Sequence, residues 1–188
     1  MTANKNFKRR VRERARRTGE SYTAALSHLR RLHSEEKLMR PDEWQRIEKT
    51  DFGYAVLIPQ GWAERPPDLK NSPWETARFI DPSDRRHSMT VFRSPTRANR
   101  TAQEAAERVR PALESSGFTD FELSGSTLAE RPAVLMKCAR HDAGRVWTIH
   151  EYIAVVDMAV FCLVCGSIVV DEDAPLFEAL VDGFELTG

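Results

Sequence analysis

Residues 52–62 have the sequence FGYAVLIPQGW, and this stretch decides the fold of the chain. The run from Phe52 to Ile58 is short and apolar, which is typical of a buried β-strand. Pro59 and Gly61 predict where it ends, since proline lacks a backbone N–H for a sheet ladder and glycine favours turns. The stretch therefore predicts a strand at the start of a folded body.

The rest of this body predicts further strands around two helices. Thr101, with Glu104 three residues later, has the pattern of a capping box, and Pro111 predicts a kink or an early end of that helix. The predicted elements are strands at 52–58, 76–80 and 88–92, a helix at 101–116, strands at 122–127, 133–139, 146–155 and 159–169, and a helix at 174–182. Runs of neighbouring strands favour antiparallel pairing, so we predict an α+β fold, an antiparallel sheet with packed helices.

The N-terminal part predicts a separate αα-hairpin. Phe7, Val11 and Ala15 recur every four residues and form an apolar stripe on a first helix. Gly19 ends this helix, and a second follows at about 21–37. The apolar face of the second helix comprises Tyr22, Ala25, Leu26, Leu29 and Leu32. These faces are too narrow to bury much alone, so the hairpin must pack on something.

Pro41 and a change of charge predict two domains, a basic helical hairpin at 1–40 and an α+β domain at 41–188. Pro41 disfavours helix at the residue before it. Residues 1–40 carry 12 Lys and Arg against 4 Asp and Glu, net +8, and residues 41–188 carry 16 against 24, net −8. The asymmetry indicates either a basic arm for an anionic partner or an arm that docks on its own acidic body.

Composition excludes several classes of protein. With 41% hydrophobic and 30% charged residues, the chain is not collagen-like, of low complexity or wholly disordered. No run reaches the roughly 18 apolar residues of a membrane helix, and no secretory signal follows the basic start. Three cysteines are an odd number and predict no disulfide framework. We therefore expect a cytoplasmic protein, and the abundance of Arg and Ala indicates a bacterial one.

The body resembles the PsbP-like superfamily over about residues 47–187. The motifs that carry the resemblance are Phe52…Ile58-Pro59-Gln60-Gly61-Trp62, Phe79-Ile80-Asp81-Pro82, Glu130-Arg131-Pro132-Ala133 and Phe177…Asp182-Gly183-Phe184-Glu185-Leu186. The resemblance implies an α/β/α sandwich and a non-enzymatic protein that binds protein partners, as an adaptor or a secretion-type chaperone. Secreted bacterial members carry a signal or a lipidation cysteine, and this sequence shows neither, which favours the cytoplasmic roles.

The paired cysteines favour a structural interpretation. Cys162 and Cys165 lie in a predicted strand, where residues three apart face opposite sides of the sheet. A structural zinc site needs four ligands, usually from two such pairs, and the chain has one pair. We therefore predict that both thiols are buried as small apolar side chains.

Two histidines adjoin acidic residues, in His141-Asp142 and His150-Glu151, and such pairs could support acid–base catalysis or bind a metal. We interpret the first pair as part of a turn and the second as residues that alternate along a strand; His87 is predicted in a solvated turn. The sequence has no G-x-S-x-G nucleophile motif. We therefore predict no catalytic residue, no metal site and no cofactor.

Two tryptophans are the predicted partner-binding residues. Trp74 lies in a proline-bearing loop, where it either anchors a protein contact or packs locally, and Trp62 either packs over the sheet edge or joins the same contact. The alternative function is nucleic-acid binding through the hairpin, in which Lys8, Arg9, Arg12, Arg16 and Arg17 neutralise phosphates. A solvated helix face, another protein or an anionic membrane surface would account for the same charge, so these interpretations stay open.

Overall fold

The computed structural model describes residues 11–12, 14–16, 18–19, 21–26 and 43–187. Residues 43–187 form strands and helices of the predicted α+β class. The elements are β1 (Trp44–Lys49), a 3-10 turn (Thr50–Phe52), β2 (Tyr54–Pro59), β3 (Ala63–Arg65), β4 (Glu75–Ile80), β5 (His87–Pro95), α1 (Ala102–Ser115), β6 (Thr119–Leu128), β7 (Arg131–Asp142), β8 (Arg145–Val156), β9 (Ala159–Ser167), α2 (Val170–Asp182) and β10 (Phe184–Leu186).

The strands form two sheets, and every pairing is antiparallel. The large sheet has seven strands in the order β3-β4-β5-β9-β8-β7-β6, and the small sheet has three in the order β1-β2-β10. The apolar stretch quoted first supplies β2, which pairs with β1 on one side and β10 on the other. It is therefore an internal strand, as its composition predicts.

The large sheet separates two apolar layers because successive side chains of a strand point to opposite faces. On β9, Phe161 and Leu163 face the small sheet and α2, whereas Val160 and Cys162 face α1. Ala105 and Ala106 are the buried residues of α1, so this helix approaches the sheet closely. The layers are α1, the large sheet, and then α2 beside the small sheet.

Helix α1 begins with the predicted capping box. The Glu104 N–H donates to Thr101 Oγ1 at 3.1 Å, and the Thr101 N–H donates to Glu104 Oε2 at 2.9 Å. The helix continues past Pro111 to Ser115, close to the predicted end at 116, so of the two predicted effects of Pro111 the early end is wrong and the kink stays a prediction. Pro111 is exposed, so the carbonyl group that it leaves unbonded can be hydrated.

Three short or polar strands were not predicted in full. β1 mixes apolar and charged residues, and β3 and β10 have three residues each, so none has a clear two-residue period. The prediction of a solvated turn at His87 is wrong, because His87 is the first residue of β5 and pairs with Ser167 of β9. Tertiary pairing defines these strands, and no local sequence signal does so.

The described N-terminal residues are helical on both sides of Gly19, as the hairpin prediction requires. Gly19 has φ of 74°, the left-handed conformation that ends a helix, and the Ala24 N–H donates to Ser21 Oγ at 3.1 Å to begin the next one. Val11 and Ala25 are fully buried. The predicted apolar residues Phe7, Leu29 and Leu32 lie outside the described residues, and the division into domains at 1–40 and 41–188 stays a prediction.

Candidate functional site

One end of the sandwich exposes large apolar side chains on its turns. Of the seven exposed large apolar residues in the described part of the chain, four lie here: Phe52, Leu69, Trp74 and Met158. They belong to the β1–β2, β3–β4 and β8–β9 connections. We call this set the apolar end. Exposed apolar groups collected in one place are characteristic of interaction surfaces, whereas scattered ones are ordinary.

Hydrogen bonds fix the backbone at Trp74, whereas its side chain is exposed. The Glu75 N–H donates to the Ser72 carbonyl at 3.0 Å, and the Arg93 N–H donates to the Trp74 carbonyl at 2.9 Å, which fixes the turn against the end of β5. The side chain is nevertheless 52% exposed, and Leu69 of the same loop is 58% exposed. A fixed backbone with an exposed ring suits contact with a partner.

Met158 occupies the tip of the β8–β9 hairpin in an unfavourable backbone conformation. Asp157 has φ of 47° and Met158 φ of 62°, in the left-handed region that glycine adopts most easily. The Met158 carbonyl accepts the Thr96 N–H at 2.8 Å, so the tip is tied to the residue after β5. The Met158 side chain is 62% exposed. Trp74 and Met158 therefore flank the end of β5.

A row of aromatic rings runs beneath this end. Ring centroids are 6.5 Å apart for Phe52 and Tyr54, 5.4 Å for Tyr54 and Phe184, and 6.3 Å for Phe184 and Phe161. The guanidinium carbon of Arg93 lies 5.7 Å from the Phe161 ring centroid. Burial raises the pKa of Tyr54 to about 12, and its hydroxyl lies 2.8 Å from Thr76 Oγ1. The apolar end thus rests on a rigid aromatic base.

Trp62, the other predicted partner-binding residue, lies at the opposite end and is 7% exposed. Its ring stacks on the imidazole of His87, with centroids 5.3 Å apart and an angle of 13° between planes. The structure therefore separates Trp62 from Trp74 along the strand direction and gives Trp62 a packing role. A partner contact by Trp62 stays a prediction.

His87 belongs to a partly buried polar cluster at that opposite end. Its Nδ1 lies 3.3 Å from Oδ2 of Asp173, and the same carboxylate oxygen accepts the Ser167 hydroxyl at 2.6 Å. Ser167 Oγ accepts the Val169 N–H at 2.8 Å. The hydroxyl donates to the carboxylate, and Ser167 is fully buried, so the cluster anchors the start of α2. It does not have the exposed serine and adjacent imidazole base of nucleophilic catalysis.

The other two candidate histidines, His141 and His150, have separate contacts and form no common site. The turn predicted at His141-Asp142 is wrong, because both residues belong to β7 and pair with β8. His141 Nε2 lies 3.1 Å from Asp120 Oδ2, both side chains are exposed, and this contact lowers the pKa of Asp120. His150 packs edge-on against Phe177 at 5.3 Å on the other side of β8 from Glu151. Burial lowers the pKa of His150, and the charge of Lys137 adds to the effect.

The three cysteines are buried and unreactive by environment. Cys162 faces α1 and Cys165 faces the small sheet, so the two thiols lie on opposite faces of β9 as predicted. Burial raises the pKa of Cys138 to about 12 and holds those of Cys162 and Cys165 well above the ordinary value. A nucleophilic thiol needs a lowered pKa. These three therefore serve packing.

Glu151 is a buried carboxyl group beneath α1 that sequence reasoning did not single out. It is 4% exposed and shares its sheet face with Ile149 and Ile153. Burial raises its pKa to about 7, and the Cys162 thiol hydrogen-bonds its carboxylate. In the described part of the chain, no three His, Cys, Asp or Glu side chains group as a metal site would require.

Of the predicted nucleic-acid-binding residues, Arg12 and Arg16 lie in described helical residues and are exposed. Lys8, Arg9 and Arg17 lie outside the described residues. No helix within the described ranges has the length and apolar composition needed to cross a membrane.

Of the four residues of the apolar end, the sequence singles out only Trp74, and its partner-binding role stays a prediction. Asp157-Met158 was recognisable as a hairpin corner, and a large apolar residue in such a turn is the signal that would have indicated Met158. Leu69 has the same signal, since it lies in the proline-bearing loop, whereas Phe52 was placed in the predicted strand 52–58 and lies instead in the turn before β2. Arg93 gives no local signal, because only the register of β5 with β9 places it over Phe161.

Comparison with known proteins gives structural matches without close sequence relatives. No family model matches the chain, and no curated protein matches it in sequence. Cyanobacterial PsbP (CyanoP) from Synechocystis sp. PCC 6803 matches with a TM-score of 0.52 and 19% identity, over 79% of this chain and 95% of that one. The Saccharomyces cerevisiae Ran-binding protein Mog1p matches with a TM-score of 0.56 and 12% identity, over 77% and 95%.

LpqN, a Mycobacterium tuberculosis protein involved in cell envelope biogenesis, matches with a TM-score of 0.50 and 18% identity, over 77% of this chain and 91% of LpqN. At these identities the likeness concerns the fold alone. The antiparallel large sheet, its two helical layers and these three matches agree with the motifs that open and close the body. The chain therefore has the PsbP-like fold.

Proposed function

We propose that this protein is a non-enzymatic protein-binding module, an adaptor or a secretion-type chaperone, that contacts its partner through the apolar end. The observation that carries the proposal is the collection of Phe52, Leu69, Trp74 and Met158 on the turns of one end of the sandwich. Tryptophan and methionine are enriched in protein interfaces. Full burial of such a side chain contributes roughly 1.5–3 kcal/mol, before the entropic cost of association is subtracted.

The comparisons support this function by example. Mog1p has the same fold and is a Ran-binding protein, so the fold can present a surface for another protein. The placement of the histidines is consistent with a function other than catalysis. His87, His141 and His150 lie apart from one another, and each contacts a different neighbouring side chain. Cytoplasmic location remains part of the proposal.

Nucleic-acid binding through the basic hairpin is the second candidate. The observation in its favour is that Arg12 and Arg16, four residues apart, are exposed on helical residues. Contacts from such a face would weaken steeply with salt and would be largely independent of sequence.

Site-specific photo-crosslinking on the full chain tests the proposed function. A photoreactive residue replaces Leu69 at the apolar end or, as the matched control, the exposed Val146 at the opposite end. We expect a discrete protein to be crosslinked from position 69 only, with at least a tenfold loss when Trp74→Ala is added. Equal crosslinking from both positions would contradict the proposal. Loss of the captured material on nuclease treatment would favour the hairpin alternative.

A further inference from the structure

We propose that the apolar end recognises a partner segment in which one carboxylate lies between apolar residues, and that Arg93 binds this carboxylate. The inference rests on the proposed function, because it names the chemistry of the partner for the same surface. It follows from the environment of Arg93, from the positions of Trp74 and Met158 around it, and from the charges at the rim.

Arg93 presents a guanidinium group that lies over an aromatic ring and has no carboxylate partner among the described residues. The residue is exposed, its side chain lies 5.7 Å from the Phe161 ring centroid, and its backbone N–H is bonded to the Trp74 carbonyl. Within the described ranges no carboxylate oxygen lies within ion-pair distance of it, whereas Arg97 is 3.7 Å from Glu104. A guanidinium held over an aromatic ring keeps its planar fork of donors oriented for a carboxylate.

The apolar side chains lie on both sides of this guanidinium. β5 lies between β4 and β9 in the large sheet. Trp74 precedes β4 and is bonded to Arg93, while Met158 precedes β9 and is bonded to Thr96. A segment that crosses this end therefore meets one apolar side chain, then the cation, then the other. A partner segment complementary to this surface therefore has an apolar, an acidic and an apolar residue in that order.

Charge at the rim restricts the partner further. Residues 93–100 contain three arginines and no acid, within a body of net charge −8. In the sequence, Asp51, Asp68 and Asp157 directly precede Phe52, Leu69 and Met158, and Lys70 follows Leu69. A uniformly acidic partner or an anionic membrane would meet these three carboxylates on the same turns as the apolar side chains. A single central carboxylate matches the observed arrangement of charge, which favours a protein segment over a lipid surface.

Selection of displayed random 12-residue peptides on the full chain tests the inference. We expect the peptides enriched on the unaltered protein to lose binding to Trp74→Ala and to carry a central Asp or Glu between apolar residues. On Arg93→Glu, the central position should change to Lys or Arg. Arg145→Glu makes the same change of charge at an exposed position on the opposite end, so it should select the same peptides as the unaltered protein.

A synthetic peptide of the enriched sequence gives the affinities by fluorescence anisotropy. Arg93→Ala should weaken binding about tenfold, Arg93→Lys should weaken it less, and a peptide with Lys at the central position should bind Arg93→Glu better than it binds the unaltered protein. Circular dichroism of each variant shows whether the fold is retained. Arg93→Ala removes an exposed side chain, so the fold should be unchanged.

The outcomes separate the inference from the proposed function. Peptides that depend on Trp74 but lack a central acid would overturn the inference and leave the proposed function intact. Failure to enrich any peptide that depends on Trp74 would overturn both. Binding to phosphatidylserine vesicles that depends on Trp74 and is tighter than peptide binding would also overturn the inference, in favour of a membrane surface.

Discussion

The apolar end and the interior contain the same residue types in opposite environments. Trp62 is buried and stacked on His87, whereas Trp74 is half exposed above the end of β5. Met136 is fully buried beneath α1, whereas Met158 is exposed at a hairpin tip. The interior residues gain free energy from burial within the chain, but the residues of the apolar end can gain it only when a second molecule covers them. The proposed function therefore assigns stability and binding to different residues, and this separation can be tested.

The largest expected effect contrasts the two tryptophans. Trp62→Ala removes a buried ring and leaves a cavity against His87, so the free energy of unfolding should fall by about 3–5 kcal/mol. Trp74→Ala removes a ring that is half in solvent, so the loss should be below about 1 kcal/mol. Urea denaturation followed by circular dichroism measures both. Equal losses would show that Trp74 is also a structural residue, and would weaken its assignment to an interaction surface.

Glu151 provides the second test, because it is a polar group in the interior whose ionisation is unfavourable there. Burial raises its pKa from an ordinary value of 4.5 to about 7 in the folded chain. The folded state therefore binds this proton more tightly than the unfolded state does. The contribution of Glu151 to stability is most favourable below pH 4.5 and declines as pH rises to about 7. Above that pH the loss of folding stability caused by Glu151 stays constant, at about 3 kcal/mol for a pKa shift of this size.

Replacing the Glu151 carboxyl group by an amide measures this loss of folding stability on its own. Glu151→Gln does not titrate, so it should have a free energy of unfolding close to that of the unaltered protein at pH 5 and higher by about 2–3 kcal/mol at pH 8. Glu122→Gln, on the exposed edge strand β6, is the matched control and should show little change between the two pH values. Denaturant titrations at both pH values measure the differences. A less stable Gln variant at pH 8 would mean that the ionised carboxylate is stabilised by contacts that outweigh its burial.

The sequence predicts the interior better than the apolar end, and the reason is physical. Apolar runs such as Tyr54–Ile58 identify buried strands because burial of a strand requires continuous apolar side chains. The cap of α1 is equally local, since Thr101 and Glu104 are three residues apart. These features need no knowledge of the distant chain, so motif and period predict them.

The apolar end forms only when distant segments meet. Trp74 and Met158 are 84 positions apart and become neighbours of one strand end through the pairing of β4, β5 and β9. The proposed role of Arg93 depends on the ring of Phe161, which register places opposite it. His87 was misplaced for the same reason, because its partner Asp173 comes from α2. A single sequence contains no signal for such pairings, although it does show apolar residues inside turns.

The smallest expected effect is the most discriminating, because it changes stability and binding in opposite directions. Met158 at φ 62° and Ala143 at φ 44° hold left-handed conformations in hairpin turns at opposite ends of the large sheet. Glycine adopts this conformation without the steric cost of a Cβ, although it loses more chain entropy on folding. Met158→Gly and Ala143→Gly should each stabilise the fold by about 0.5–1 kcal/mol, measured by thermal and urea unfolding.

The two variants should differ in binding. Met158→Gly removes an exposed anchor of the apolar end, so crosslinking from position 69 and affinity for a selected peptide should fall, while Ala143→Gly should leave both unchanged. A stabilising substitution that weakens binding is the signature of a residue retained for contact at the expense of the fold. If Met158→Gly destabilises the protein, the methionine packs more than its exposure indicates. If it stabilises the protein and binding is unaffected, the partner surface is centred on Trp74 and Leu69 and does not extend to the hairpin tip.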